Sequence, residues 1–557
     1  MVEINREIKE CDVLVVGGGI GGLMAAIAAA GKGAKVIVAD KADTRRSGSG
    51  ATGNDHFCCY IPEVHGSPEE FLVEFQQSLV GGNADFNIQM KFVNRSFECV
   101  KDWNEWGIDM RPHGEWEFNG HAFPGRKRIW LKYNGENQKK VLTEQALKRG
   151  VVIANRVPIT EFLTDGDGKI VGALGVSVAK LEPEIILFKA RSIISATGSA
   201  VRLYPSSTAG WMFNLAFCPS NTGAGRAAAY KVGAELVNLE IPNTHAGPKY
   251  FERAGKATWI GILKDSDGRP VGPFVTKPTK ELGDITADVW HSVFTEKHQN
   301  GTGPVFMDCS ETSPEDMEYM MWGLKCEGDT SLIDAMEKQE VDLEKHMVEF
   351  TKYRPFLIGR GIQIDENGAS NVPGLYAAGD EVGNFRSDIS GAAVMGRIAG
   401  ENAAEYSLNR EAACCIEDHP VVKKAQKFYS ELMTREVGSS WKELNLAIQQ
   451  IMDDYAGITF VRSETLLSAG LNYLSDLEKR ASQSVKCKDA HELTRALEGF
   501  DLLLLGKLVM MTAMERKETR GMHKRSDYTF TNPLLNGMFL TIKNENGTPK
   551  LAWRQSH

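Results

Sequence analysis

The chain has 557 residues, enough for two to four domains, with 42% hydrophobic and 25% charged residues, the balance of a soluble globular protein. Its formal net charge is −9 and its basic residues form no long block, which argues against nucleic-acid binding. There is no apolar run of about 18 residues, and the charged start MVEINREIKE leads straight into a strand, so neither a membrane-spanning helix nor a signal peptide is expected.

Residues 11–40 set a strand, a turn, a helix, a second strand and an acid in that order. Residues 13–16 form an apolar strand. Gly17, Gly19 and Gly22 then fit G-x-G-x-x-G, residues 23–30 form a helix of small residues, and residues 35–39 form a strand ending at Asp40. The first glycine allows the tight turn, the second lets backbone approach a pyrophosphate, and the third lets helix pack on strand. The helix N-terminus offers free N–H groups and positive dipole to the phosphates. Asp40 is placed to accept hydrogen bonds from the adenosine ribose. An acid there disfavours NADP and leaves FAD or NAD.

Ser47, Gly48, Ser49, Gly50 and Gly53 make a second small-residue turn, suited to backbone lying against a flat ring system. Residues 68–106 are helical and aromatic. Residues 138–148 read as a helix and 151–153 as a strand. Residues 157–163, 170–178 and 185–189 read as a meander, and 192–198 as a separate buried strand ending in Ala196-Thr197-Gly198. An excursion of mixed character runs from about residue 243 to 354, with a strand at 304–308 and helices at 314–324 and 330–350. Strands follow at 361–365 and 375–380, the second ending in Gly379-Asp380, and a small-residue helix runs from Ser390-Gly391. Residues 419–516 are almost wholly helical, and a polar tail closes the chain. The ten cysteines include no C-x-x-C pair, so no iron–sulfur or metal ligation within the chain is expected. The pairs Cys58-Cys59 and Cys414-Cys415 read as reduced thiols.

VVGGGIGGLMAA, RRSGSGATG, SATGSAVRLYP, VPGLYAAGDEVG and MERKETRGMHKRSDY stand in this order. In this the chain resembles the succinate dehydrogenase/fumarate reductase flavoprotein superfamily, and within it is most like the adenylylsulfate reductase alpha-subunit branch. The resemblance implies an α/β fold: a split Rossmann-like FAD-binding domain (1–243 and 354–410), an inserted α+β capping domain (244–353) and a C-terminal helical domain with the tail (411–557). The cofactor implied is FAD. It is expected to be non-covalent, because Gly48 stands where succinate dehydrogenases carry the histidine that bonds to it. Cofactor contacts are implied at Gly17, Gly19, Gly22, Asp40 and Lys41, at Ser47, Gly48 and Gly53, at Val157, Ala196, Thr197 and Gly198, and at Gly379, Asp380, Ser390 and Gly391. The helix starting near Ser390 is expected to aim its N-terminus at the flavin pyrimidine edge.

For the substrate, basic residues near the cap junctions are the candidates: His245, Lys249, Arg253, Lys256, Arg354, Arg360 and Arg386. Arginine binds carboxylate or phosphate bidentately, so together they point to an anion. His245 falls at the family's substrate histidine, and His245, Arg354, Arg360 and Arg386 are the expected catalytic set. The arginine and second histidine of the fumarate site are absent from this chain. The implied function is that of an FAD-dependent oxidoreductase acting on a small anionic substrate. Electrons would pass through a separate iron–sulfur or other electron-transfer protein, in the cytoplasm or peripheral to a membrane complex through that partner. Two alternatives stay open: an adenylylsulfate-reductase-like subunit that acts on a sulfur compound, and an electron-transfer flavoprotein subunit with no small substrate of its own.

Overall fold

The computed structural model describes residues 4–556 apart from 79–83, 119–125, 209–211, 257, 273, 274, 276, 280–285, 287–289, 412–415, 459 and 460, and apart from the side chain of residue 256. Cys414, Cys415 and the Lys256 side chain therefore lie outside the described residues.

The apolar run of residues 13–16 ends strand β1 (Asn5–Val16), which feeds helix α1 (Ile20–Gly31) and strand β2 (Val36–Asp40). All five residues of β2 are buried, as expected of a parallel strand covered on both faces. A small antiparallel pair, β3 (His56–Cys58) and β4 (Trp130–Lys132), lies beyond the second turn. Then come β5 (Val152–Asn155), β6 (Ile159–Thr164), β7 (Ile170–Ser177) and β8 (Glu184–Ser195). The main sheet has the order β5-β2-β1-β8-β7-β6, with Leu375–Ala377 added parallel to β8.

The strands expected at 185–189 and 192–198 are one strand. The first half of β8 pairs with β7, from Ser177↔Glu184 to Gly172↔Lys189, and its end pairs with Leu375–Ala377, while β1 accompanies it from Glu184 to Ser195. Partners along the whole length leave no place for a break at Ala190-Arg191. On one face of the sheet α1 packs against the helix Asp388–Leu408. Small residues let the two backbones touch: a Cβ on Gly396 would stand 2.3 Å from the Gly21 carbonyl oxygen, and one on Gly400 2.2 Å from that of Ala25.

A second, antiparallel sheet joins Ala246–Pro248, Val348–Lys352, Val305–Asp308 and Ile262–Lys264 in that order, over a core that includes Trp259, Leu263, Met307, Met320 and Phe350. The helix expected at 330–350 is only Thr330–Lys338. It stops before Glu340, whose φ of 53° is left-handed, and the chain returns as the strand Val348–Lys352. The strand expected at 361–365 shortens to Gly361–Ile362, and that at 375–380 ends at Ala377, where a tight turn Gly379–Glu381 takes over.

Helices Pro420–Thr434, Trp441–Ala456, Glu464–Ser484 and Ala490–Glu515 follow. A capping box of Ser440 and Glu443 starts the second. The expected polar tail is a β-hairpin, Met538–Glu545 with Thr548–Gln555, turning at Asn546-Gly547 with both residues at positive φ. Its first strand pairs with Leu236–Val237, which in turn pairs with Gly361–Ile362. Ahead of it the basic motif buries Arg516, Glu518, His523 and Arg525, with Arg516 donating to Glu240 at 2.6 Å and to Glu518 at 2.7 Å. Among the described residues no helix is long and apolar enough to cross a membrane.

Candidate functional site

A cavity of about 470 Å³ runs from the first glycine turn to the second sheet. At one end Gly17, Gly19, Asp40, Lys41, Ser47 and Gly48 line it. Gly18 N–H donates to Asp40 Oδ2 at 2.7 Å, Ser47 Oγ to the same oxygen at 2.9 Å, and Ala42 N–H to Oδ1 at 2.7 Å. A carboxylate has about four acceptor sites, so the protein takes three of them and roughly one is left for a ribose hydroxyl. Beneath the turn, buried Lys139 donates to the Gly18 carbonyl, and burial pulls its ammonium down to about 8.

The glycines test the fit of a dinucleotide. A Cβ on Gly22 would stand 1.8 Å from the Gly17 carbonyl oxygen, so Gly22 serves the packing of α1 and does not line the cavity. A Cβ on Gly19 would meet nothing within 4 Å, although Gly19 lines the cavity at the start of α1. The backbone there is bare toward open space, the cradle a pyrophosphate needs. Gly48, at φ 82°, brings the second turn against it, with the position of its missing Cβ 3.6 Å from Gly19 Cα. Val157 donates its N–H to the Asp40 carbonyl at 2.8 Å, while its neighbour Pro158 is the lining residue.

Thr494, Leu497, Glu498 and Asp501 of the helix Ala490–Glu515 also line this end. Lys41 donates to Glu498 at 2.9 Å, and Arg202 and Arg495 reach the same carboxylate at 2.7 and 2.9 Å. Burial alone would raise Glu498, but the three cations hold it down at about 2. Sequence reading had no signal for this contribution from the last long helix.

In the middle, Ala196, Thr197, Gly198, Gly379 and Asp380 line the cavity. Buried Glu381 ties the two segments together, accepting from Ser195 Oγ at 2.9 Å and from Thr197 N–H at 2.5 Å. Fully buried Arg226 donates to the carbonyls of Gly198 and Asp380, each at 2.6 Å. Asp388, Ile389 and Ala392 line the cavity from the first turns of the helix Asp388–Leu408, so its N-terminal end borders the cavity. Ser390 and Gly391 sit inside that turn, where Ser390 Oγ donates to Ser387 O at 2.6 Å, and they are not lining residues.

At the far end His245, Arg386 and Asp388 share the lining with Thr258, Trp259, Met307 and Phe350. Arg386 Nε donates to Asp388 Oδ1 at 2.9 Å. Burial would raise Asp388, but Arg386, and beyond it His245 and His56, hold it below the usual carboxylate range. Asp388 has φ 42°, a strained value for a non-glycine residue, fixed where the helix begins. The His245 ring stands 5.8 and 5.6 Å from the rings of Phe217 and Phe356.

Two of the four expected catalytic residues fall outside the lining. Arg354 pairs with Asp453 at 3.4 Å, and Arg360 donates to the carbonyls of Ile241 and Gly359 at 2.6 and 2.7 Å, with burial first and Arg386 second lowering it to about 10. Lys249 pairs with Glu349 at 2.7 Å, and Arg253 holds the second turn through the Ser49 carbonyl at 2.8 Å. Burial pushes the thiols of Cys58 and Cys59 well above their ordinary value, which leaves them as packing groups. His56, Trp130 and Glu327 line the cavity unforeseen. The polar run Asn54-Asp55-His56 beside a glycine turn was the available signal.

A family model described as FAD binding domain matches residues 12–393, and one described as fumarate reductase flavoprotein C-term matches residues 445–556. A fumarate reductase (CoM/CoB) subunit from Methanothermobacter marburgensis is 26% identical, covering 95% of this chain and 96% of its own. The adenylylsulfate reductase alpha subunit of Megalodesulfovibrio gigas is 24% identical, covering 93% and 90%. In fold, the chain is similar to adenylylsulfate reductase from Archaeoglobus fulgidus, at 22% identity and a TM-score of 0.85 over 100% of this chain and 96% of that one. It is also similar to the E. coli quinol fumarate reductase chain, at 20% identity and a TM-score of 0.80 over 99% and 97%.

Proposed function

This chain belongs to the FAD binding domain family, within the succinate dehydrogenase/fumarate reductase flavoprotein superfamily, and we propose that it reduces or oxidises a small anionic substrate with electrons passed through a separate protein. It is an FAD-dependent oxidoreductase of the fumarate reductase/adenylylsulfate reductase type. FAD when bound supplies two-electron chemistry, and the chain supplies binding, orientation and shielding.

The observation that carries the anionic substrate is Arg386 and His245 on the same cavity as the glycine turn. Arg386 uses Nε on Asp388, and its geometry suits a carboxylate or sulfur oxyanion. Trp259, Phe350 and Met307 cover that end from the cap, which strengthens charge–charge contacts by excluding water. The family's domain division, with residues 244–353 as cap, supplies the frame for this reading. The separate electron carrier is supported by the relatives' names, which are those of subunits, and by the absence of any C-x-x-C pair.

The test uses the flavin-loaded protein. Reduced methyl viologen should reduce it, and NADH should do so slowly or not at all. Fumarate, sulfite and adenylylsulfate are then titrated against the flavin absorbance. At least one should perturb it saturably, and Arg386→Gln should weaken that anion by about ten- to a hundred-fold, the loss of a charge-assisted contact of about 1.5–3 kcal/mol. Rapid reduction by NADH, or unchanged anion binding in the variant, would sink the reading.

The flavin should also be releasable. Gly48 offers no side chain for a covalent link, so acid precipitation should leave the yellow colour in the supernatant. Colour that stays with the pellet would show a covalent bond elsewhere.

A further inference from the structure

His56 has no part in the reading above. It begins β3, directly after the second turn, and lines the cavity with 26% of its side chain exposed. Its Nδ1 lies 2.5 Å from Oδ1 of Asp55, whose side chain is fully buried. The donor atoms of Asp55, His56 and Glu327 all fall within 4.8 Å of one another. Glu327 directly follows the cap helix Pro314–Cys326, so the cluster joins the flavin side to the cap. Trp130 on β4 stands edge-on to the imidazole at 5.2 Å and fixes the ring plane. With Nδ1 taken by Asp55, Nε2 is the nitrogen left to the cavity.

The charges facing His56 are Asp55, Glu327 and Asp388. Lys132, its register partner on β4, turns its ammonium to the rings of Tyr319 and Trp322. Burial alone would strip the imidazole of its proton. Asp55, by charge and by hydrogen bond, then Glu327 and Asp388, outweigh this and raise it to about 9. Asp55 and Glu327, with Asp388 already paired to Arg386, offset the imidazolium's charge, so the group is better suited to giving a proton than to gripping a substrate oxygen. The grip belongs to the Arg386 side.

We infer that His56, oriented by Asp55 with Glu327 beside it, is a proton-transfer residue of this cavity. The inference rests on the two-electron reaction proposed above. A two-electron reduction adds two electrons and two protons to the substrate. Both electrons and one proton would be supplied by the reduced flavin when it is bound. The other proton comes from His56: its Nε2–H bond breaks as the substrate's new O–H or C–H bond forms, and water reprotonates the neutral imidazole. Oxidation runs the same transfers in reverse. The raised value has a second consequence. The ion pair's contribution to stability is fully present below about pH 6.5 and is lost as pH rises through about 9.

Nitrogen-labelled histidine in the flavin-loaded full chain tests this, with the His56 signals identified by their loss in His56→Gln. Both ring nitrogens should be protonated at about pH 7 and titrate near 9, and Asp55→Asn should bring the titration below about 7. The midpoint potential of the bound flavin gives the second readout. Wild type should lie above His56→Gln at about pH 7, because a cation favours the anionic reduced ring, and the two should converge by about pH 10, where both side chains are neutral. A neutral imidazole at about pH 7 overturns the inference. So do potentials that coincide, or that differ equally at every pH, as a structural histidine would give. Loss of anion binding with the titration intact would remove only the substrate reading.

Discussion

Gly19→Val should yield a folded, colourless protein. Gly19 precedes α1 with φ −67° and ψ −173°, extended backbone that any residue adopts, so valine brings no backbone strain. Its Cβ would meet no atom of the rest of the protein within 4 Å. It would instead fill the space in front of the helix N-terminus, where the pyrophosphate has to approach. The expected loss is about 4 kcal/mol or more, a thousand-fold or greater fall in flavin affinity. Flavin absorbance per mole of purified protein reads the loss, and the thermal unfolding of flavin-stripped wild type supplies the stability control. A variant that keeps its full yellow colour would show that the turn serves something other than the phosphates. Gly22→Val makes the contrast: its Cβ collides with the Gly17 carbonyl oxygen, so that variant should fail to fold.

Arg516→Ala should cost about 3–5 kcal/mol of stability, the range for breaking a buried ion pair by removing one partner. The side chain is 1% exposed, Glu240 and Glu518 are fully buried against it, and its guanidinium lies 4.7 Å from the Trp553 ring centroid. Alanine would leave buried Glu240 without its ion-pair partner, while Glu518 keeps Arg520 at 2.7 Å, and would unseat the closing hairpin from the motif beneath it. Glu240 lies five residues before His245, so the loosening should reach the cavity as well. Denaturant unfolding of the flavin-loaded protein measures the effect, with Arg516→Lys expected to recover part of it. A loss below about 1 kcal/mol would mean that Glu240 finds another partner.

The β1–α1–β2 unit was legible because its signals are local: an apolar run, three glycines at fixed spacing, small helical residues and a terminal acid. The closing hairpin was missed although Asn546-Gly547 is a strong turn signal. Its second strand is largely exposed and its first is buried chiefly at Phe539, Leu540, Thr541 and Ile542, so the period-2 pattern is diluted. Arg354 and Arg360 read as ligands because sequence shows charge and not pairing. Asp453 and the Ile241 carbonyl, which engage them, are distant in the chain. His56 escaped for the same reason, since Glu327 comes from a different part of the fold.

The pairing of β1 with β8 has a consequence for the order of events in the cell. Residue 5 leaves the ribosome long before its partner at residue 184 exists, roughly ten to forty seconds at usual synthesis rates. Leu375–Ala377, which completes the middle of the sheet, arrives later still, and Leu236–Val237 waits for the closing hairpin. The nascent chain therefore carries an unpaired, strongly apolar edge through most of its synthesis. Such an edge is an aggregation hazard and an expected client surface for holding chaperones. Flavin capture belongs late in that sequence, because the helices Asp388–Leu408 and Ala490–Glu515, which wall the cavity, come in the last third of the chain. Flavin supply then matters at release from the ribosome, and starvation for it should expose finished but empty chains to proteolysis.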